Sequence, residues 1–285
     1  GFRANIRDAE KQRQLDEQGR IVKTEETLDR VVRLAEDDYR ARPDDPPAND
    51  TYIRRLLERG RPEDLKRARE VAKRAYEITK QFRFRQFEGD ITLRLASRKL
   101  QDFRDAAEKN KDSQVAQQRY AEAQRQFAKM ELDEFKARVE AYPTDLNLKF
   151  ELARRYFNLG DMDNSIPLFQ QSQEDAKRRV ESQLYLAQAF QKIDYIDESI
   201  HTYRTAMEAH KLTNDDMGMN LRYGLLTSLQ AKAEKDRDLP SAEEADKLAS
   251  AISTQQFNYK DIRARRDALK KLIADLKRGD PAPSA

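Results

Sequence analysis

Leu152-Ala153-Arg154-Arg155-Tyr156 and Leu186-Ala187-Gln188-Ala189-Phe190 decide the fold of this chain, because the second stretch repeats the pattern of the first. Ser165-Ile166 recurs as Ser199-Ile200 with the same offset in numbering. A fixed period of about 34 residues is typical of helical hairpins that stack on copies of themselves. Such repeats bury their apolar faces on their neighbours and expose a surface for partners.

The composition is that of a helical protein with a large exposed surface. Among the 285 residues, 38% are charged and 38% are hydrophobic, the mean hydropathy is -0.99, and there are 8 glycines and 9 prolines. Residues with high helix propensity dominate the remainder. We therefore expect an all-α chain built from thin helical layers rather than a compact globule.

Some classes of protein are excluded or disfavoured by what the sequence lacks. There is no cysteine, which excludes disulfides and thiolate chemistry and fits a cytoplasmic location. No run of about 18 apolar residues occurs, so we expect no membrane span. The chain begins at Gly1 without a signal-like stretch, which leaves open a further N-terminal segment or targeting signal.

The pattern divides the chain into seven segments. We expect a charged lead-in that is a frayed helix or disordered, N-terminal helices with a divergent repeat-like pair, and a long helical hairpin. Two clear repeats, a divergent third repeat with a charged insert, a capping helix and a disordered tail follow. In that order the segments are 1–22, 23–81, 82–142, 143–213, 214–255, 256–278 and 279–285.

Local signals place some helix ends. Asn49 or Asp50 is expected to cap the helix that follows the proline-rich turn at 42–47. In the third repeat we expect helices over 221–229 and 242–252, separated by the charged insert 231–240.

The hairpin prediction depends on two rows of apolar residues spaced alternately by three and four. The first row is Leu93, Ala96, Leu100, Phe103 and Ala107, and the second is Ala116, Tyr120, Ala123, Phe127 and Met130. This spacing is typical of a coiled-coil seam, and the polar residues 109–112 separate the rows. Two antiparallel helices joined there are one interpretation, and one continuous long helix is the other.

The two repeats resemble the tetratricopeptide repeat (TPR) family. The pattern Leu152-Ala153-x2-Tyr156-x3-Gly160-Asp161, followed by Ser165-Ile166-x2-Phe169-x2-Ser172, recurs from Leu186 to Ala206. The resemblance implies a stack of helical hairpins, an α-solenoid, with small residues where helices approach closely. Large residues such as Phe169 and Tyr203 would fill the space between layers.

The chain departs from the family pattern in several details. Lys149 and Gln183 stand where the family has an aromatic residue, and serine replaces alanine at 165, 172 and 199. Asp194 takes the place of the turn glycine. Pro167 is expected in the first turn of its helix, where proline is tolerated.

The resemblance implies a concave surface for partners on the first helix of each repeat. The residues that it implies are Asn147, Phe150, Glu151, Arg154, Asn158, Leu184, Tyr185, Gln188 and Lys192. TPR domains that clamp a C-terminal carboxylate use a lysine and an asparagine on this helix. Phe150 with Arg154 and Leu184 with Gln188 occupy those positions, so we expect no such clamp.

No pattern predicts catalysis, a metal or a cofactor. His201 and His210 lie in or just after the second helix of a repeat, where we expect surface or packing roles. Adjacent carboxylates are numerous, which is typical of solvated faces. There is no glycine-rich phosphate loop and no nucleophile elbow. We therefore expect a protein that is not an enzyme.

A basic stretch is the second candidate surface. Residues 51–104 hold 16 Lys and Arg against 8 Asp and Glu, in a chain of net charge +3. Within it, residues 82–87 alternate phenylalanines with arginines, a pattern that could stack bases and neutralise phosphates. The other interpretation places Phe84, Phe87 and Ile91 in the apolar seam that enters the hairpin, with Arg83 and Arg85 exposed. The candidate basic patch is Arg83, Arg85, Arg94, Arg98 and Lys99.

These observations favour a non-enzymatic scaffold or adaptor that binds a peptide or helix of a protein partner on the concave surface, on the hairpin, or on both. One alternative is a helical protein that associates with nucleic acid through residues 51–104. Another is a structural component that assembles with copies of itself through open solenoid ends or the coiled-coil seam.

Overall fold

The computed structural model describes residues 25–279, and the chain in this range is helical, with short connections and no strand. The helices are α1 (Glu25–Ala41), α2 (Pro46–Arg59), α3 (Pro62–Thr79), α4 (Phe82–Lys109), α5 (Gln114–Ala141), α6 (Leu146–Asn158), α7 (Met162–Ser172), α8 (Arg179–Lys192), α9 (Ile196–Ala209), α10 (Asp216–Asp236), α11 (Leu239–Gln255) and α12 (Ile262–Arg278). The all-α prediction is thus confirmed for these residues. The expected lead-in 1–22 and nearly all of the tail 279–285 lie outside the described residues.

The described residues form two compact units, which are divided between Phe127 and Ala128, within α5. In the first unit, α1 packs on α2, α2 on α3, and α3 on α4. Their shared core contains Ile53, Leu65, Ala68 and Phe84, each at most 2% exposed. This is the packing of consecutive helical hairpins.

The cap of α2 differs from the prediction. Asp45, rather than Asn49 or Asp50, accepts a hydrogen bond from the backbone N–H of Ala48, and Pro46 occupies the first helical position. Proline suits that position because its missing N–H would have no partner inside the helix. Asn49 is buried in the first turn and donates to the carbonyl oxygens of Pro43 and Asp45.

Helices α4 and α5 are separate. They are 28 residues long each, and between Lys109 and Gln114 the chain turns. The side chain of Gln117 donates to the carbonyl oxygen of Ala107 across this turn at 3.0 Å. The interpretation as one continuous helix is therefore wrong, while the coiled-coil seam stays a prediction.

In the second unit, each helix from α6 to α12 packs on the next one along the chain. The second helices of the two repeats, α7 and α9, begin at Met162 and Ile196, with the same offset in numbering as the two sequence patterns. Gly160 and Asp194, at the turns before them, both have a positive φ, 80° and 63°. The TPR-like arrangement of stacked helical hairpins is thus present, with Asp194 in the conformation usual for glycine.

Serines at small positions form hydrogen bonds between neighbouring hairpins. The hydroxyl groups of Ser172 in α7 and Ser182 in α8 lie 2.8 Å apart. Those of Ser199 in α9 and Ser228 in α10 lie 2.9 Å apart, and Ser199 also bonds to the carbonyl oxygen of Ala187. All four serines are completely buried. A buried hydroxyl group needs a partner, and these pairs supply it.

Pro167 lies inside α7 rather than in its first turn. The helix begins early because Asp161 caps it, accepting from the backbone N–H of Asn164 at 3.2 Å. Pro167 is then the sixth helical residue, and its ring is on an exposed side of the helix.

The third hairpin has no loop at the charged insert. Helix α10 continues to Asp236, and the chain turns at Arg237, which has a φ of 60°. Alanine, lysine and glutamate in the insert are strong helix formers, so the charges extend the helix. Helix α12 packs on α11 with Ile262 and Leu269 fully buried, and its role as a capping helix stays a prediction.

Gly224 lets α10 approach the second repeat. A Cβ atom placed on Gly224 would lie 2.2 Å from the ring of Tyr203, which is 1% exposed. Burial raises the pKa of the Tyr203 hydroxyl group, as expected for a phenol enclosed by α10.

We expect Gly224→Ala to lower the free energy of unfolding by about 1–3 kcal/mol, because the added methyl group overpacks the site. The better helix propensity of alanine offsets only part of this loss. Urea unfolding followed by circular dichroism measures it. In a Tyr203→Leu background the same substitution should cost less, and an equal cost in both backgrounds would contradict the assignment to the ring contact.

Candidate partner-binding surface

Helices α6 and α8 carry the residues that the TPR resemblance assigns to the concave surface. Asn147, Asn158 and Lys192 are exposed, whereas Glu151, Arg154, Tyr185 and Gln188 are half-buried. These seven residues remain accessible to a partner.

Phe150 and Leu184 are different, because they belong to the core. Phe150 is 0% exposed and contacts Phe169 and Tyr185 edge-on, with ring centroids 5.9 and 6.0 Å apart. Leu184 is 8% exposed and belongs to the core around α9 and α10. Their expected contact with a partner is corrected accordingly. The TPR resemblance assigns one face of α6 to the concave surface. In the structure, the next hairpin covers part of that face.

Arg154 lies on an aromatic platform. Its guanidinium carbon is 5.8 Å from the ring centroid of Phe150 and 5.7 Å from that of Tyr185. Such cation–π contacts hold the planar group against the rings. The Nε atom of Arg154 is buried and has no hydrogen-bond partner within residues 25–279. The side chain as a whole is 36% exposed, so its outer edge can meet an acceptor.

Arg178, which the sequence patterns do not single out, completes this platform. It precedes α8, and its guanidinium carbon lies 4.7 Å from the ring centroid of Phe150. Its Nε donates to Oδ1 of Asn147 at 2.8 Å, and its Nη1 pairs with Glu181 at 2.8 Å. Arg178 lies in the turn between repeats, outside any helical period. In the sequence, Arg178 is distinguished only by being a cation close to several aromatic residues. That arrangement is too common to predict a binding residue.

The carboxylate of Glu151 holds three arginines together. It pairs with Arg154 at 3.5 Å and Arg178 at 3.7 Å, and it also accepts a hydrogen bond from Arg155. Arg155 in turn stacks on Phe135 of α5 at 3.9 Å, which fixes the end of that helix on α6. Glu131 also pairs with Arg155 and Glu181 with Arg178, so three carboxylates meet the three arginines.

Lys192 adds a further cation over an aromatic ring, with its Nζ atom 4.0 Å from the ring centroid of Phe157. We call the surface formed by Asn147, Glu151, Arg154, Arg178, Tyr185, Gln188 and Lys192 the arginine–aromatic face. Its exposed polar atoms are mainly N–H donors. Guanidinium donors backed by rings match carboxylates and carbonyl oxygens.

A second cluster of polar side chains, which the sequence did not predict, lies on α10 and at the start of α12. Tyr223 donates to Asp261, and Arg265 donates to the Tyr223 hydroxyl oxygen at 3.1 Å and to Gln230 at 2.9 Å. The Nζ atom of Lys260 lies 4.3 Å from the Tyr223 ring centroid. The third repeat does not follow the pattern with a period of about 34 residues, so the pattern could not predict which of its residues lie close together.

Burial and hydrogen bonds shift the pKa values of the titratable side chains in this cluster and of the neighbouring Tyr259. Burial raises the pKa values of Tyr223 and Tyr259 and lowers the pKa of the Lys260 ammonium group. Burial also pushes the pKa of Asp261 upward, but the hydrogen bonds from Tyr223 and Arg265 outweigh it, and the pKa lies below its usual value. Asp261 therefore stays ionised and orients Tyr223 and Arg265.

The candidate basic patch lies on α4, in the first unit. Arg83, Arg94, Arg98 and Lys99 are exposed and Arg85 is half-buried. Phe84 and Ile91 are buried at 0% and 1% exposure, and the guanidinium carbon of Arg54 lies 5.2 Å from the ring centroid of Phe87. Phe84 and Ile91 thus lie in the core of the first unit, and the half-buried Phe87 packs against it. Phe84 is not free to stack on bases, and Arg85 is less exposed than the second interpretation expected.

Among the helices of residues 25–279, none combines the length and the apolar composition that crossing a bilayer requires.

The scan against protein-family models finds no match, and neither does the search of curated proteins. Solved structures do resemble the chain. Yeast Tom70 is 16% identical, with a TM-score of 0.44 over 89% of this chain and 53% of its own. A chain of the APC/C hetero-tetramer Cut9-Hcn1 is 13% identical, with a TM-score of 0.43 over 85% of this chain and 46% of its own.

The TPR2AB domain of yeast Sti1, in a complex with pHSP90, is 16% identical, with a TM-score of 0.35 over 88% of this chain and 92% of its own. The chain thus spans about half the length of the Tom70 and Cut9-Hcn1 chains that it matches. The description of the fold as TPR-like rests on the helix arrangement given above, and the partners of these proteins are theirs alone.

We expect Glu151→Gln to lower the free energy of unfolding by about 1–2 kcal/mol, because three guanidinium groups lose the charge that they share. Urea unfolding at low and high salt measures the loss. Glu181→Gln is the matched control, since it removes a single, 33% exposed partner of Arg178. That control should change stability by less than about 0.5 kcal/mol. Equal losses for both variants would show that Glu151 has no special role.

Proposed function

We propose that this protein is a non-enzymatic scaffold that binds an acidic segment of a protein partner, extended or helical, on the arginine–aromatic face. The observation that carries the proposal is the guanidinium group of Arg154, which lies on two aromatic rings in a side chain that is 36% exposed. Its exposed N–H groups can donate to a partner's carboxylate or carbonyl oxygen.

The charge of the face supports an acidic partner. Arg154, Arg178 and Lys192 lie over rings of α6 and α8, and Glu151 is already shared among arginines. Asn147 and Gln188 add amide groups along the same two helices. A segment with carboxylates spaced along it would meet several of these donors at once.

The packed aromatic rings beneath the cations lower the conformational entropy that is lost when a partner binds. Tyr185 stacks on Phe169 at an interplanar angle of 10° and contacts the rings of Phe150 and Phe157. Cations held on such a platform lose little side-chain freedom when they bind. The same packing makes Tyr185 a poor choice for mutation, because its removal would open the core.

Binding of nucleic acid through α4 has less support. Stacking on single-stranded bases needs exposed aromatic faces, and Phe84 is buried. Arg83, Arg94, Arg98 and Lys99 would then contribute charge alone. Such binding would be insensitive to sequence and would weaken steeply with salt.

Affinity purification with quantitative mass spectrometry tests the proposal. We expect at least one protein with an acidic segment to co-purify with the wild-type chain, and its recovery to fall about tenfold or more with Arg154→Glu, a loss typical of a central interface residue. Lys247→Glu, an exposed reversal on α11, is the matched control and should leave recovery unchanged.

Circular dichroism establishes that both variants are folded. Recovery of the same partners in equal amounts with Arg154→Glu and with wild type would contradict binding at the arginine–aromatic face. Recovery of RNA or DNA alone, lost with Arg94→Glu and Arg98→Glu, would contradict the scaffold role itself.

A further inference from the structure

A groove separate from the arginine–aromatic face opens between α7, α8 and α9. Its volume is about 470 Å³, and Leu186 and Phe190 of α8 supply its apolar lining. The polar lining residues are Gln170, Gln173, Gln183, Asp197, Glu198, His201, Thr202 and Thr205. None of these residues belongs to the arginine–aromatic face.

Gln183 explains both the groove and its polarity. In the TPR pattern its position holds an aromatic residue, and a glutamine side chain leaves part of that volume open. Gln183 is 6% exposed, and its Oε1 atom is buried without a hydrogen-bond donor within the described residues. Its Nε2 atom donates to Oε1 of Gln173 at 3.5 Å, which uses one of the two amide N–H groups. Gln183 thus lines the groove with a buried oxygen that has no donor within the described residues.

The hydroxyl groups of the groove are acceptors as well. Thr202 donates to the carbonyl oxygen of Glu198 at 2.7 Å, and Thr205 donates to that of His201 at 3.0 Å. Each hydroxyl proton is therefore in use within α9, and the oxygen lone pairs are what a ligand meets.

Two carboxylates are the remaining acceptors in the lining of the groove. Asp197 pairs with Lys232 at 2.5 Å but is 73% exposed, and Glu198 makes no ion pair within residues 25–279. The groove therefore combines an apolar wall and an aromatic ring with oxygen acceptors and negative charge.

From this arrangement we infer that the groove binds the arginine side chain of a protein partner. The aliphatic part of the side chain packs on Leu186, and the planar guanidinium group lies against the ring of Phe190. Its N–H groups donate to Oε1 of Gln183 and to the carboxylate of Glu198. Five N–H donors in one plane fit several acceptors at once, which a lysine ammonium group does less well.

Other ligands fit less well. An apolar side chain would leave Oε1 of Gln183 buried without a donor, which is costly. An anion would meet the carboxylates of Asp197 and Glu198, and the lining holds no lysine or arginine to offset them. The inference is independent of the function proposed for the arginine–aromatic face, because the two surfaces share no residue and select opposite charges.

Titration of the full chain with Nα-acetyl-L-arginine amide, followed by ¹⁵N NMR spectroscopy, tests the inference. We expect saturable shifts confined to residues of α7, α8 and α9. The neutral isostere Nα-acetyl-L-citrulline amide should bind about tenfold more weakly, since hydrogen bonds to a charged group are the stronger ones. Equal affinity for both compounds, or no saturable shift, would overturn the inference.

Two variants locate the site. Gln183→Trp should abolish the shifts by filling the groove, and Lys149→Trp, at the same position of the preceding repeat, should leave them unchanged. Glu198→Gln, an exposed change with little effect on folding, should weaken the affinity about threefold to tenfold. Unchanged binding by Gln183→Trp and Glu198→Gln, with helicity preserved, would also overturn the inference.

Discussion

Close approach of helices at small buried residues is the constraint on which the second unit depends. Ala153, Ala187, Ser199 and Ala206 are 0% exposed, and at Gly224 even a methyl group would collide with Tyr203. With the backbones this close, large rings fill the remaining gaps, and buried hydroxyl groups find each other across hairpins. Ser172 and Ser199, which replace alanine, therefore keep the close packing and add hydrogen bonds to it, whereas the buried hydroxyl group of Ser165 has no partner within the described residues.

The sequence predicted the fold where the repeat was regular and failed where local and tertiary effects compete. The repeat period placed α6 to α9, because identical packing needs identical spacing of small and large residues. Pro167 and the charged insert were misplaced for opposite reasons. An aspartate cap starts α7 early enough to enclose the proline, and strong helix formers carry α10 through a stretch whose charge suggested a loop.

The residues of the candidate partner-binding surface could be predicted only in part, because the repeat pattern does not distinguish packing positions from exposed ones. A helix of a stack has one face for its neighbour and one for a partner, and the period alone does not separate them. Arg154 and Lys192 are accessible, yet Phe150, on the same helix as Arg154, is enclosed by Phe169 and Tyr185. Arg178 escaped notice because tertiary packing, not sequence period, brings a turn residue onto the Phe150 ring.

Packing of each helix on the next one along the chain also has a kinetic consequence. From α6 to α12 the stabilising contacts join residues that are close in sequence, so the contact order of this unit is low. Little loop-closure entropy opposes the first contacts, and chains of this kind fold in about microseconds to milliseconds. In a stack of this kind, opening begins most easily at an end helix, which has one neighbour instead of two, and proceeds inward one helix at a time.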